Sequence, residues 1–278
     1  MSVAGGLENA FAAGARAGCE CLQIFVKNQR QWNAKPLTDE VVASYQAAAR
    51  ETGLSPVVAH ASYLINLASP DAALRKRSVA ALVDEVERCH RLGVAYLVLH
   101  PGAHMREGVD AGIRRIVRCL NEFHKTAAGA STMVLLETTA GQGSTIGHEV
   151  EHLARIIDGV RQPERLGVCV DTCHVFAASY DISTAEGYDR LATELTEMVT
   201  LERVKCFHVN DSKGACDSRI DRHEHIGKGK IGVAGFRNLL NDPRFTAVPK
   251  ILETPKGVDG RGTDLDRVNL RRLRRLIE

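Results

Sequence analysis

The chain predicts an α/β fold, a (β/α)8 TIM barrel that lacks its first β-strand, and three observations carry that expectation. Short apolar, β-branched runs alternate with stretches of helical spacing. The runs are apolar throughout, as parallel strands buried on both faces are. Their ends at residues 60, 100, 137, 171, 208 and 253 lie 34 to 45 residues apart. Such an even repeat suits a barrel better than a doubly wound sheet, which more often carries a glycine-rich phosphate loop.

In order, the runs are C-L-Q-I-F-V (21–26), S-P-V-V-A-H (55–60), A-Y-L-V-L-H (95–100) and M-V-L-L-E (133–137), then G-V-C-V-D (167–171), V-K-C-F-H (204–208) and V-P-K-I-L-E (248–253). A first helix is expected from about Leu7 to Ala17, ahead of any run. Seven strands are therefore counted, and an eighth would have to precede Met1. The stretch 73–93 reads as a helix closed by Leu92-Gly93, a C-cap signal. Residues 1–278 are expected to form one domain, since α/β barrels commonly reach this size as a unit.

A hydrophobic fraction of 44% and a charged fraction of 25% are those of an ordinary globular protein. No apolar run approaches the roughly 20 residues of a membrane helix. The N-terminus lacks the basic region and apolar core of a signal peptide. A cytoplasmic monomer is the simplest expectation. Eight cysteines, scattered and without a C-x-x-C pair, read as reduced core residues rather than a disulfide framework. A net charge of +2 does not indicate a globally basic nucleic-acid binder, and local charge would have to do that work.

The chemistry lies in what closes each run. His60, His100, Glu137, Asp171, His208 and Glu253 end six of them. In a barrel such ends meet at the C-terminal rim, where catalytic groups sit. Any one of them alone reads as a hydrogen-bonded rim residue; six drawn only from His, Asp and Glu point to a metal centre. Loops extend the set. His174 follows Asp171 by three residues, and Asp221 and His223, two apart, point the same way in an extended segment. His225 is set aside as a bystander, and His90, His104, His124, His148 and His152 default to surface or local hydrogen-bonding roles. Cys169 and Cys173 read as buried fillers, not ligands.

Nine candidates remain, five histidines and four carboxylates. At three to four ligands per ion they serve about three zinc-like ions. Nitrogen and oxygen donors without thiolates suit Zn²⁺ and also accept Mn²⁺ or Fe²⁺. About three divalent ions bring a charge of about +6, against −4 from the four carboxylates. The site stays cationic and attracts an anion such as phosphate. Clustered divalent ions activate water near neutral pH and stabilise a leaving alkoxide, the logic of phosphodiester hydrolysis.

At this point the motifs resemble the endonuclease IV family of apurinic/apyrimidinic (AP) endonucleases, also called AP endonuclease family 2. The matching stretches span essentially the whole chain: A-G-G-L (4–7), F-V-K-N-Q-R-Q-W (25–32), H-A-S-Y-L-I-N-L (60–67), H-P-G-A-H (100–104) and L-E-T-T-A-G-Q-G (136–143). They continue with G-V-C-V-D-T-C-H-V-F-A-A-S-Y-D (167–181), H-V-N-D-S-K (208–213), D-S-R-I-D-R-H-E-H-I-G-K-G (217–229) and I-L-E-T-P (251–255). The resemblance implies a trinuclear zinc site. His60 and His100 would hold one ion, and Glu137, the catalytic carboxylate, would bridge it to a second completed by Asp171, His208 and Glu253. His174, Asp221 and His223 would hold the third. It also implies double-stranded DNA with abasic sites or blocked 3′ ends as the substrate. The backbone would be cut 5′ to the abasic site, leaving a 3′-hydroxyl and a 5′-deoxyribose phosphate. Arg30, Tyr63 and Leu64 match residues that insert into the duplex where the base is missing, the place where unstacking costs least. Lys27, Arg219, Arg222 and Lys228 are expected to contact phosphates. R-R-L-R-R (271–275) reads as a solvated helix face.

Two departures stand out. Family members normally begin with a strand ending in His-x-Ser, whereas here Met1 directly precedes Ser2-Val3-Ala4-Gly5-Gly6. Either the true start lies upstream, or the barrel is open or distorted, with exposed sheet edges. Ser179 stands where the family often has glycine or alanine, a change given little weight. Two other readings compete. A sugar isomerase or epimerase would need only a Glu137, Asp171, His208 and Glu253 quartet around one ion. A lesion-binding protein that no longer cleaves would not need its full ligand set.

Overall fold

A computed structural model describes residues 1–278. The chain divides into two compact units, one of Met1–Leu136 with Arg155–Gly167, the other of Glu137–Ala154 with Val168–Glu278.

In the first unit the chain runs α1 (Asn9–Ala17), β1 (Leu22–Ile24), α2 (Asp39–Thr52), β2 (Val57–His60), α3 (Ala72–Leu92), β3 (Tyr96–Leu99), α4 (Val109–Thr126) and into β4 (Met133–Glu137). These strands are parallel and neighbour one another in chain order, with Val58 opposite Tyr96 and Leu97 opposite Val134. Leu97, Val98, Leu99, Val134, Leu135 and Leu136 are at most 1% exposed, and each such side chain contributes about 1.5–3 kcal/mol by leaving water. The helices start where the chain supplies an acceptor. The Thr38 hydroxyl takes the Val41 N–H, and the Asp71 carboxylate takes those of Ala73 and Leu74. Gly93 closes α3 at φ 79°, the left-handed cap that its sequence position indicated.

The other unit contains the start of α5 (Val150–Gly159) and most of β5 (Leu166–Asp171), then α6 (Thr172–Ala177), α7 (Ala185–Glu194), β6 (Val204–His208), β7 (Asp211–Ser212), β8 (His223–Glu224), α8 (Gly232–Leu240), β9 (Lys250–Ile251) and α9 (Leu265–Arg274). Strands β5, β6 and β9 are parallel neighbours, with Asp171 opposite His208 and His208 opposite Ile251. The short ribbon β7–β8 is antiparallel and brings His223 opposite Ser212.

All seven apolar runs become parallel strands; β1, β2, β3 and β9 are shorter than their runs, β4 and β6 match theirs, and β5 starts one residue earlier. His100 lies just past β3, and Glu253 two residues past β9. The first helix begins at Asn9 rather than Leu7. On α9 and its C-cap, Arg271, Arg274 and Arg275 are exposed, as a solvated face requires, while Arg272 donates to the Ile226 carbonyl. No helix is long and apolar enough to cross a membrane.

Candidate metal centre

Two of the nine expected ligands belong to the first unit. The rings of His60 and His100 are 5.3 Å apart at 65°. Tyr63 packs against both, at 5.1 and 5.7 Å, and is 57% exposed. Leu64 is half-buried beside it and Arg30 is exposed, so these three stand where a ligand arriving from solvent meets them.

The remaining seven belong to the second unit. Glu137, Asp171 and His208 are fully buried and His174 is 2% exposed. His208 Nδ1 lies 2.8 Å from Glu137 Oε1, 3.2 Å from Glu253 Oε2 and 3.9 Å from Asp171 Oδ2. His174 Nε2 is 3.3 Å from Asp221 Oδ2. His223 Nε2 is 3.4 Å from Asp221 Oδ1 and 3.6 Å from Asp171 Oδ2. Asp171, His174 and His223 each offer an atom within one 4.8 Å cluster.

Local chemistry explains why Asp171 and His174 converge. One Asp171 oxygen caps α6 by accepting the His174 N–H at 2.9 Å. The cap fixes the carboxylate and starts the helix that turns the His174 ring back over it. The other oxygen accepts from Asn210 Nδ2 at 2.7 Å.

Ring nitrogens are oriented in the same economical way. His60, His174 and His223 each place Nδ1 on a backbone carbonyl, of Ala61 (2.7 Å), Thr138 (2.8 Å) and Glu253 (3.3 Å). A carbonyl only accepts, so Nδ1 carries the proton and the lone pair of each neutral ring lies on Nε2. That is the arrangement found behind metal-ligating histidines.

The field of the carboxylates is strong. Burial works against a charged His174, yet Asp171, Asp221 and Glu137 overcome it and raise its pKa to about 10. His208 is likewise raised, Glu253 and Glu137 outweighing its burial. A field that holds protons on buried imidazoles is one that holds cations. His223 Nε2 is buried with no hydrogen-bond partner, although it faces two carboxylates. A divalent ion would supply such a partner, and the N and O donor set fits zinc-like ions. The thiols fit less well. Burial raises Cys169 well above the usual thiol range, with Cys206 adding to the effect, and burial followed by Asp171 pushes Cys173 up to about 12. Neither is a thiolate at neutral pH.

Three expectations need correcting. Lys27 is not a surface phosphate contact: its side chain is 1% exposed and paired with Asp84 and Glu85. His124 is not on the surface and its ring makes no hydrogen bond; it is 3% exposed with both ring nitrogens unpartnered, and burial, then Arg165, lowers its pKa to about 4. Ser179 deserves weight, because it sits at φ 90°, where a side chain is strained and glycine is not. Arg222 and Lys228 are exposed, Arg219 is half-buried beside Asp217, and His225 bonds locally to Asn269.

Sequence reasoning missed the groups behind the donors. Asn210 is fully buried; it bonds Asp171 through Nδ2 and takes the Glu253 N–H at Oδ1 (2.8 Å). Thr138 Oγ1 accepts from the Asp171 N–H at 2.9 Å. Asp211 accepts from the N–H groups of Gly229 and Ile231, both at 3.0 Å, and so pins the loop that carries Lys228. A Cβ at Gly229 would lie 2.3 Å from the Ser212 carbonyl oxygen, so only glycine fits there. The one available signal was position: each follows a proposed ligand by one to three residues, in L-E-T and H-V-N-D.

A parallel α/β chain whose strands end in histidines and carboxylates fits the class of TIM-barrel enzymes, and comparison with known proteins narrows the class. A family model described as a xylose isomerase-like TIM barrel matches residues 11–276. A probable endonuclease 4 from Chloroflexus aurantiacus is 51% identical over 278 residues, spanning 100% of this chain and 96% of the relative. The crystal structure of endonuclease IV from Thermus thermophilus superposes with a TM-score of 0.86 at 36% identity, covering 99% of this chain and 96% of that one. A D-tagatose 3-epimerase-like protein superposes at 0.70 over 92% of this chain and 88% of its own, but at 18% identity it shares the fold alone. The chain has the TIM-barrel fold and belongs to the endonuclease IV family, AP endonuclease family 2.

Proposed function

We propose that residues 1–278 act as one catalytic domain, a zinc-dependent AP endonuclease of base excision repair working as a cytoplasmic monomer. It hydrolyses the DNA phosphodiester 5′ to an abasic site, leaving a 3′-hydroxyl and a 5′-deoxyribose phosphate, and cleans blocked 3′ ends. The observation that carries this reading is the convergence of Glu137, Asp171, His174, His208, Asp221, His223 and Glu253, with His223 Nε2 facing two carboxylates without a hydrogen bond. Full-length identity to a probable endonuclease 4 supports it.

In this reading His60, His100, Glu137, Asp171, His174, His208, Asp221, His223 and Glu253 hold about three ions, with Mn²⁺ or Fe²⁺ as substitutes for Zn²⁺. When bound, such ions supply Lewis-acid stabilisation of charge on the phosphate oxygens. Asn210 and the backbone carbonyls fix the donors in place before substrate arrives. Arg30, Tyr63 and Leu64 enter the duplex where the missing base leaves a gap, so only damaged DNA seats fully. Arg219, Arg222 and Lys228 meet phosphates.

The test is a duplex with one synthetic abasic site, incubated with folded, zinc-replete protein. Incision on the 5′ side is expected, and its absence overturns the reading. Metal content separates the epimerase alternative, which needs one ion in the Glu137, Asp171, His208 and Glu253 quartet instead of about three.

A further inference from the structure

Residues 25–38 form neither helix nor strand, yet they are held at many points by α3. Lys27 Nζ lies 3.0 Å from Asp84 and 3.3 Å from Glu85, and it donates to the Trp32 carbonyl at 3.3 Å. Arg77 covers the Trp32 ring at 4.3 Å. Arg88 donates to the Lys35 carbonyl at 2.8 Å and Arg91 to that of Leu37 at 2.5 Å.

A second loop hangs from the same carboxylate. Glu85 Oε2 accepts the Ser62 N–H at 3.1 Å, and Ser62 Oγ donates to the Gln29 carbonyl at 2.7 Å while accepting from Leu64 N at 3.2 Å. Lys27 and Glu85 side chains are each 1% exposed. A buried ion pair costs more to desolvate than a surface pair, and here the pair connects the Arg30 loop to the Tyr63-Leu64 loop.

We propose that the buried Lys27–Glu85 pair is a positioning element for duplex recognition, locking the Arg30 and Tyr63-Leu64 loops into one body before DNA binds. Preorganisation of this kind strengthens binding because the ordering of the loops is not left to the encounter. The inference rests on the AP-endonuclease reading for its substrate, but its structural core can be read without substrate. Trp32, the only tryptophan of the chain, sits on the clamped loop.

The experiment compares the wild type with Glu85→Gln, Lys27→Met and the double variant Lys27→Met/Glu85→Leu. Each single variant is expected to raise KM for an abasic duplex about tenfold, with kcat changed by less than about twofold. Acrylamide quenching of Trp32 should rise about twofold as the loop loosens. The double variant leaves neither charge unpaired, so its Tm should return toward that of the wild type, while KM and quenching stay high. Unchanged Trp32 quenching in the single variants overturns the proposal, as does a KM that recovers together with Tm in the double variant. The quenching arm decides the clamp whether or not the wild type incises abasic DNA.

Discussion

Both units bury charge, and they do so with different partners. In the first, Glu85 is held by Lys27 across 3.3 Å. In the second, Glu137 and Glu253 face His208, and Asp221 faces His174 and His223. A carboxylate paired with lysine is a fixed strut. A carboxylate facing imidazole nitrogens can exchange a proton for a cation, so the same cost of burial serves mechanics in one unit and chemistry in the other.

The sharpest way to break that contrast is to remove a carboxylate from the second unit. Glu137→Ala or Glu253→Ala should lower kcat for abasic-site incision by about 10³-fold, while gel-shift affinity for the duplex stays near wild type. If either variant keeps near-normal incision, the chemistry does not live in this cluster. Asp171→Ala and His174→Ala should each lose about one bound ion, read by metal analysis after dialysis, whereas Cys169→Ser and Cys173→Ser should keep the full complement.

One step back from the donors, Asn210→Ala should weaken metal retention against a chelator by about 10- to 100-fold, since Asp171 and the Glu253 backbone both lose their anchor. The matching change in the first unit, Tyr63→Ala, should raise KM for the lesion by about tenfold and leave metal content untouched.

Titration offers a gentler probe. The His174 pKa in the metal-free chain is raised to about 10 from an ordinary 6.5. Its stabilising contribution is therefore complete below about pH 6.5 and disappears as pH climbs through about 10. Chelator-stripped protein should melt at progressively lower temperature across that window, and a Tm that rises instead contradicts the assignment. The smallest effect belongs to Ser179→Gly, which relieves a positive φ and should add about 0.5–1 kcal/mol in a denaturant titration.

Much of the site was legible because strand ends carry a local code. Six runs of apolar residues each stopped on His, Asp or Glu, and parallel strands must place such ends together. The three-residue step from Asp171 to His174 was legible for a similar reason, since a capping carboxylate and the third helical residue meet by local geometry. His223 and Asp221 followed from the two-residue period of an extended segment.

Lys27 and Glu85 were not legible. F-V-K-N-Q reads as a loop lysine, and D-E-V-E-R presents three acids on one helix with nothing to say that Glu85 turns inward. Only the packing of a loop across α3 decided that both charges would be buried against each other, because burial depends on neighbours distant in sequence. Asn210 was hidden in the same manner, as its two bonds reach 39 and 43 residues away. By itself, then, the sequence determined the parallel α/β alternation, the strand-end donors and the family, all of which rest on short-range periodicity and motif. Tertiary structure alone decided which polar groups stand behind those donors and which charges lock the loops, since hydrogen bonds and ion pairs between remote segments exist only once the chain is packed.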